Sequence, residues 1–280
     1  MRTLVVLLGL VTALAAAEPP ASESLSDRGL RLLLERQQAL FAEARAQGEK
    51  LDRDSFQNRM QELVRDYEIY LRSNPNRADA YAAYGYLLGK VDLRREALAM
   101  LMKANRLDPE IPLVKNQLGN LLAEAGKPLE AVSYFLAAIR LAPQEPLYHY
   151  QLGTLLAEAR DDFLQSGEWT RDSVEHAMHE AFRQAHTLAP DRFEFAYRYA
   201  ESFYDIANPD WEAALKLWSE LEAKAETAIE RETMRLHAAN ILIKQGKRDH
   251  ARLILSLVTE PELAVQKQKL VAQLAEQGDK

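Results

Sequence analysis

Between residues 78 and 145 the apolar residues recur at helical spacing, three and four apart, in paired runs separated by short polar breaks. Pro112 to Glu145 is the clearest of these stretches. Leu118-Gly119 and Leu122 fall on one face of a first helix, Gly126-Lys127-Pro128 makes a turn, Ala131, Phe135 and Ala138 fall on one face of a second helix, and Pro143 closes the unit. The prolines at 75, 109 and 143 are 34 residues apart, and so are the glycines at 85, 119 and 153. A fixed period made of helix, turn and helix predicts a solenoid, in which each unit buries its apolar face against its neighbours.

The same register extends in both directions. In 78–111, Tyr81, Tyr84-Gly85 and Leu88 occupy the first helix, and Ala97, Leu101, Ala104 and Pro109 follow. Gly85 and Ala97 are small, so they are expected where two helices cross closely, and Pro109 breaks the chain between units. In 146–192, Leu152-Gly153 and Leu156 are in register, followed by Met178, Phe182 and Ala185 before Pro190. Here the proline spacing is 47 rather than 34, which predicts an insertion over 160–171 between the two helices. Asp172 with Glu175 is expected to form a capping box after it. An insertion projects from one edge, and Trp169 within it is a candidate contact residue or a side chain folded back onto its own helices.

Two further units are weaker. In 193–231 the matching positions are Tyr199-Ala200, Phe203, Ala214, Trp218 and Leu221, with Asn208-Pro209-Asp210 as the turn. In 232–265 they are Ala239, Leu242, Ala251, Leu255 and Val258 around Gln245-Gly246-Lys247. A capping helix is expected at 266–280. Ahead of the repeats, 28–77 reads as a degenerate helix pair: Ser26 or Asp27 caps Leu30 to Phe41, and Ser55 caps Phe56 to Tyr70.

The spacing of small and large apolar positions, with Gly119, Ala131, Phe135, Ala138 and Pro143 as its fullest example, resembles the tetratricopeptide repeat. The resemblance covers about residues 78–265. It implies an all-α, right-handed α-solenoid whose first helices line a concave face that takes a protein or peptide partner. Projected onto that face, the groove positions are Tyr86, Asn116, Asn120, Tyr150, Thr154, Tyr197, Glu201 and Asn240, with Ala82, Lys90, Glu124, Glu158, Asp205, Leu236 and Lys244 on the same face. Asn satisfies both donors and acceptors of an extended backbone, and Tyr offers rigid contact area with a polar tip. The family's carboxylate clamp needs Lys and Asn at set positions. Ala82 and Tyr86 stand there instead, so an acidic peptide terminus is not the expected ligand.

The first residues change the picture of where the chain works. Arg2, the apolar run Leu4 to Ala16 and the small residues Ala15-Ala16-Ala17 read as a signal peptide over 1–17, cut after Ala17. An uncleaved anchor is the alternative reading. Residues 18–27 are expected to be a disordered mature N-terminus. The chain has no cysteine, which removes disulfides, thiolate nucleophiles and Cys-ligated zinc. Export with a helical repeat fold suggests the periplasm, with an extracellular destination as the alternative, and no integral membrane span after cleavage.

A net charge of −7, without a basic stripe, argues against nucleic acid. No G-x-S-x-G, P-loop or G-x-G-x-x-G is present. His176 and His179 stand one helical turn apart, but the next histidine is His186, which breaks the H-E-x-x-H spacing. They read as incidental surface histidines, and no catalytic residue, metal or cofactor is expected. The leading function is a non-catalytic scaffold or adaptor. Self-assembly into a structural protein is the alternative, and a metal-dependent enzyme at His176 and His179 ranks last.

Overall fold

The computed structural model describes residues 23–276, so the expected signal peptide and residues 18–22 lie outside it. The described residues are helical throughout, with fourteen α-helices and no strand among them. They divide into two compact units, one ending at Pro143 and one starting at Gln144.

The first unit holds six helices: α1 (Leu25–Gln47), α2 (Arg53–Ser73), α3 (Ala78–Lys90), α4 (Arg94–Leu107), α5 (Pro112–Glu124) and α6 (Pro128–Leu141). α1 begins earlier than the sequence suggested. Ser24, not Ser26 or Asp27, is its cap, with its hydroxyl accepting the Asp27 N–H at 3.0 Å. Residues 25–27 are therefore helical, which corrects the expected disorder through residue 27. Ser26 instead bonds the Tyr70 hydroxyl (2.9 Å) and the Asn74 side chain (2.7 Å), which ties the start of α1 to the end of α2. α2 is capped by Asp52, whose carboxylate accepts the Ser55 N–H at 3.1 Å; Ser55 lies inside the helix.

The repeat logic is visible in how helices pair. α3 packs on α4 and α5 on α6, because a residue without a side chain stands at each crossing. A Cβ added at Gly85 would lie 2.7 Å from Leu101 Cγ, so the partner at this crossing is Leu101 rather than Ala97. One core joins Leu33 of α1, Leu63 and Tyr67 of α2, Leu87 of α3 and Ala97 of α4, and a second joins Leu101, Ala104, Val114 and Leu118. Pro112 and Pro128 open α5 and α6 at the first helical turn, where the missing N–H has no partner to lose.

The second unit comprises α7 (Pro146–Glu158), α8 (Arg160–Ser166), α9 (Arg171–Leu188), α10 (Phe193–Ser202), α11 (Trp211–Lys224), α12 (Ala228–Lys244), α13 (Arg248–Ser256) and α14 (Ala264–Glu276). α8 is the inserted segment. The capping box of α9 is formed by Thr170 and Ser173, whose side chains each bond the other's backbone N–H (3.1 and 2.9 Å). Asp172 and Glu175 do not form it. Glu175 is buried instead and faces Arg171 (3.1 Å) and Arg160 (3.6 Å). Asp210 caps α11 through the Glu212 and Ala213 N–H groups.

Near the C-terminal end, the buried Glu232 carboxylate gathers the Thr259 and Glu260 N–H groups (2.6 and 2.7 Å) and the Thr259 hydroxyl (2.9 Å). Burial pushes this carboxyl up, but those donors, with Arg235 nearby, together hold it below the usual carboxylate value. A single 3-10 turn, Pro261–Leu263, then leads into α14, whose Leu274 closes the last core with Leu263 and Val258.

Candidate peptide-binding groove

In the first unit the N-terminal halves of α3 and α5 meet α1 around an open cleft of about 610 Å³. That volume falls in the roughly 300–1,000 Å³ range of ligand clefts. Its walls are mostly apolar: Leu34, Ala82, Tyr86, Ile111 and Leu113 line it, with Gln37 and Gln38 from α1 and Asp79 and Asp108 at its edge. Helical geometry explains the selection. Ala78, Ala82 and Tyr86 are four apart and share one face of α3, while Leu34, Gln37 and Gln38 share one face of α1.

Tyr86, read from the sequence as a groove position, lines this cleft. Its ring meets Phe41 edge-on at 6.1 Å, and the Lys90 ammonium stands 5.3 Å from the ring centre. Burial raises its hydroxyl above the ordinary tyrosine value and lowers the Lys90 ammonium, whose shift Glu124 partly offsets. Gln37 is buried, and its side-chain oxygen accepts the Tyr67 hydroxyl at 2.7 Å, so it is a fixed wall rather than a free contact.

Asn116 departs from the expected role. It is fully buried, and neither its amide nitrogen nor its oxygen finds a hydrogen-bond partner among the described residues. A side chain with no exposed surface does not touch a ligand in this conformation. Asn120, one turn on, is partly exposed.

The second-unit residues are largely engaged with one another. The Tyr150 hydroxyl donates to Glu194 at 2.9 Å, and its ring lies 4.8 Å from Phe195 and 5.8 Å from Phe182. Burial and then Glu194 raise this phenol well above its usual value. Thr154 donates to the Tyr150 carbonyl within its own helix at 3.0 Å. Tyr197 meets Trp218 edge-on at 5.3 Å and His237 at 6.0 Å. Glu201 pairs with Arg198 at 2.6 Å, and Asn240 hydrogen-bonds the Tyr204 hydroxyl. These residues cross-brace α7, α10 and α12, leaving fewer free donors than the sequence suggested.

The insertion does not project as a free arm. Phe163 is fully buried and Trp169 folds back on it edge-on at 5.3 Å. Arg160 reaches Asp205 at 2.8 Å and Glu175 at 3.6 Å, which pins α8 to the helices around it. The histidines also depart from the sequence reading. His176 is exposed, but His179 is half-buried against Phe203 (4.6 Å) and Tyr199 (5.2 Å), and His186 stacks on Tyr199 at 5.8 Å. The Ser202 hydroxyl already donates to the Tyr199 carbonyl, so His179 Nδ1, 2.8 Å away, carries the proton and donates to it. Among the described residues no group of three His, Cys, Asp or Glu stands close enough to hold a metal ion. No described helix is long and apolar enough to cross a membrane.

The part of the cleft that sequence reasoning missed is the α1 wall. Leu34 was legible as part of an apolar helix face, but its approach to α3 and α5, and the burial of Gln37 beside it, are set by tertiary packing.

Comparison with known proteins agrees with this fold. Residues 114–145 match the family model of the tetratricopeptide repeat. No curated protein matches the chain. Among solved structures, YrrB, a tetratricopeptide-repeat protein described as having an unusual peptide-binding site, superposes with a TM-score of 0.58 at 17% identity, covering 76% of this chain and 98% of its own. The protein pilF of Pseudomonas aeruginosa superposes at 0.56 with 16% identity, over 86% of this chain and 99% of its own. A chain of Naa15/Naa10 bound to HypK-THB gives 0.57 at 15% identity, over 91% of this chain and 35% of its own. At such identities the likeness is one of fold. With residues 114–145 matched by sequence to one tetratricopeptide repeat and the helix pairs matched in space, the fold is an all-α solenoid of helix–turn–helix units similar to that of tetratricopeptide-repeat proteins.

Proposed function

We propose that the chain is a non-catalytic, exported scaffold that binds a protein or peptide partner through the face formed by its first helices. The observation that carries this reading is the apolar cleft of the first unit, where α1, α3 and α5 leave Leu34, Tyr86, Ile111 and Leu113 around an open space. Such a cleft favours a ligand that buries apolar side chains, and the neighbouring helix termini and amides suit a backbone lying across it. YrrB, with its described peptide-binding site, is a precedent in fold. The signal peptide expected from the sequence supports the periplasm as the compartment in which the partner is met.

A photo-crosslinking residue at Leu113, compared with one at the exposed Arg95 on α4, tests the reading in intact cells. A defined adduct formed from Leu113 and absent from Arg95 is the expected result. Adducts of equal yield from both positions, or from neither, would count against the groove. Fractionation with N-terminal sequencing tests export: a mature chain beginning at Glu18 is expected outside the cytoplasm, and an unprocessed cytoplasmic chain would overturn it.

Self-assembly remains the second reading because α13 and α14 expose Leu253, Val265 and Val271 by 61%, 62% and 48%. A mass measured by light scattering that stays monomeric over a wide concentration range removes it.

A further inference from the structure

We infer that the first-unit cleft, read above as a peptide site, selects an extended peptide carrying a bulky apolar side chain next to a basic one. The inference rests on that reading and adds the sign of the ligand's charge.

Arg77, Asp79 and Asp108 are the charged lining residues of the cleft. Arg77 is already committed: its guanidinium donates to Asp79 at 2.9 and 2.6 Å and to Asp27 at 2.6 Å. One cation therefore serves two carboxylates, and the Asp79 side chain remains about half exposed. Asp108 accepts only the Glu110 N–H, at 2.9 Å, and has no ion-pair partner among the described residues. The lining residues Arg77, Asp79 and Asp108 sum to −1, and Asp27, which shares Arg77 without itself lining the cleft, brings the local charge to −2. The N-termini of α3 and α5 open onto the same edge, and each contributes about half a positive charge. The edge stays negative after that correction.

The floor is apolar and the edge acidic, so the ligand must supply both complements. A seated Leu or Phe would cover Leu34, Tyr86 and Leu113, and a Lys or Arg beside it would meet Asp108 and Asp79. An acidic peptide would find the one edge cation spent and two carboxylates facing it, which is a repulsive element as well as a missing attraction. Lys90 lies at the far end of α3, beyond Tyr86, and does not line the cleft.

The test uses the full chain and three fluorescein-labelled octapeptides with a central Leu-Phe, flanked by two Lys, two Glu or two Ser. Fluorescence anisotropy at low salt reads the affinity. The Lys peptide is expected to bind about fivefold or more tightly than the Glu peptide, and the difference should shrink as salt is raised. Asp108→Asn keeps an oxygen for the Glu110 N–H and removes only the charge. It should weaken the Lys peptide about threefold and leave the Ser peptide unchanged. Asp108→Ser serves if the first variant melts early. Ala78→Trp, at the half-exposed start of α3, fills the cleft and should abolish binding of all three.

Equal affinity for the Lys and Glu peptides, still blocked by Ala78→Trp, would overturn the basic preference and leave the peptide site standing. Binding untouched by Ala78→Trp would overturn the assignment to this cleft. No binding of any peptide would overturn both.

Discussion

Gly119 lies directly against Phe135: a Cβ at residue 119 would stand 2.8 Å from Cε1 and 2.9 Å from Cδ1 of the ring. Gly153 holds the same relation to Phe182 one unit later, with a closest approach of 2.8 Å. The glycine is thus the hole and the aromatic the knob at the crossing of first and second helices. Gly119→Ala is expected to destabilise by about 1–3 kcal/mol, because a fully buried phenyl ring has nowhere to go. Gly126→Ala separates crowding from conformation. Nothing lies within 4 Å of its added Cβ, but its φ is +71°, so its cost is about 1 kcal/mol of backbone strain alone. Urea unfolding of both variants checks the ranking, and an undisturbed Gly119→Ala would show that the crossing is looser than described.

Asn116 offers a test with the opposite sign. Its amide is fully buried and unpaired among the described residues, although the sequence placed it in a binding groove. Asn116→Leu, which keeps the branching at Cγ with somewhat more bulk, is expected to raise stability by about 1–3 kcal/mol by removing an unsatisfied polar group. Asn120→Ala, at a partly exposed position, should be nearly neutral. A lower melting temperature for Asn116→Leu would mean that the amide is satisfied in solution.

Asp92 has a φ of +63° and sits one period before Gly126, in the same turn between helices. A side chain in that conformation carries strain that glycine does not. Its ion pair with Arg94 (2.6 Å) joins two exposed groups and contributes little. Asp92→Gly should therefore raise the melting midpoint slightly, by up to about 1 kcal/mol after the entropy of glycine is subtracted. A fall in the midpoint would show that the Asp92–Arg94 pair outweighs the strain.

His237 lies flat on Trp218, with ring centres 3.9 Å apart and planes within 2°. Tyr204 presents its hydroxyl 3.4 Å from Nδ1. Burial lowers the imidazole from its usual value to about 4. The folded state thus resists a proton that the unfolded chain accepts near pH 6.5. Stability should be full above that value, fall as pH drops from about 6.5 to about 4, and level off below, for a loss on the order of 2–3 kcal/mol from this group. His237→Phe keeps the stack and should flatten that part of the profile. An unchanged slope in thermal melts across this range would mean that His237 is not its source.

Much of the architecture was legible in the chain itself. A repeated spacing of Gly119, Ala131, Phe135, Ala138 and Pro143 dictates the helix pairs, because each small residue must meet a large one across the same crossing. Periodicity of this kind depends on neighbours in sequence and survives without knowledge of distant contacts. Caps were less legible: Ser24, Asp52 and Thr170 each lie close to another residue of equal capping ability, and local competition among N–H groups chose between them. The candidate site was legible only as a set of positions on helix faces. Exposure belongs to tertiary structure, since the depth of a residue depends on what stands across from it. Packing therefore sent Asn116 into the interior, folded Trp169 onto Phe163, and joined Leu34 of α1 to Tyr86 and Leu113 around one cleft. The sequence by itself determined which faces are apolar and where each helix pair turns; only the tertiary structure decided which of those faces stay open, because openness is a relation between helices that no single helix carries.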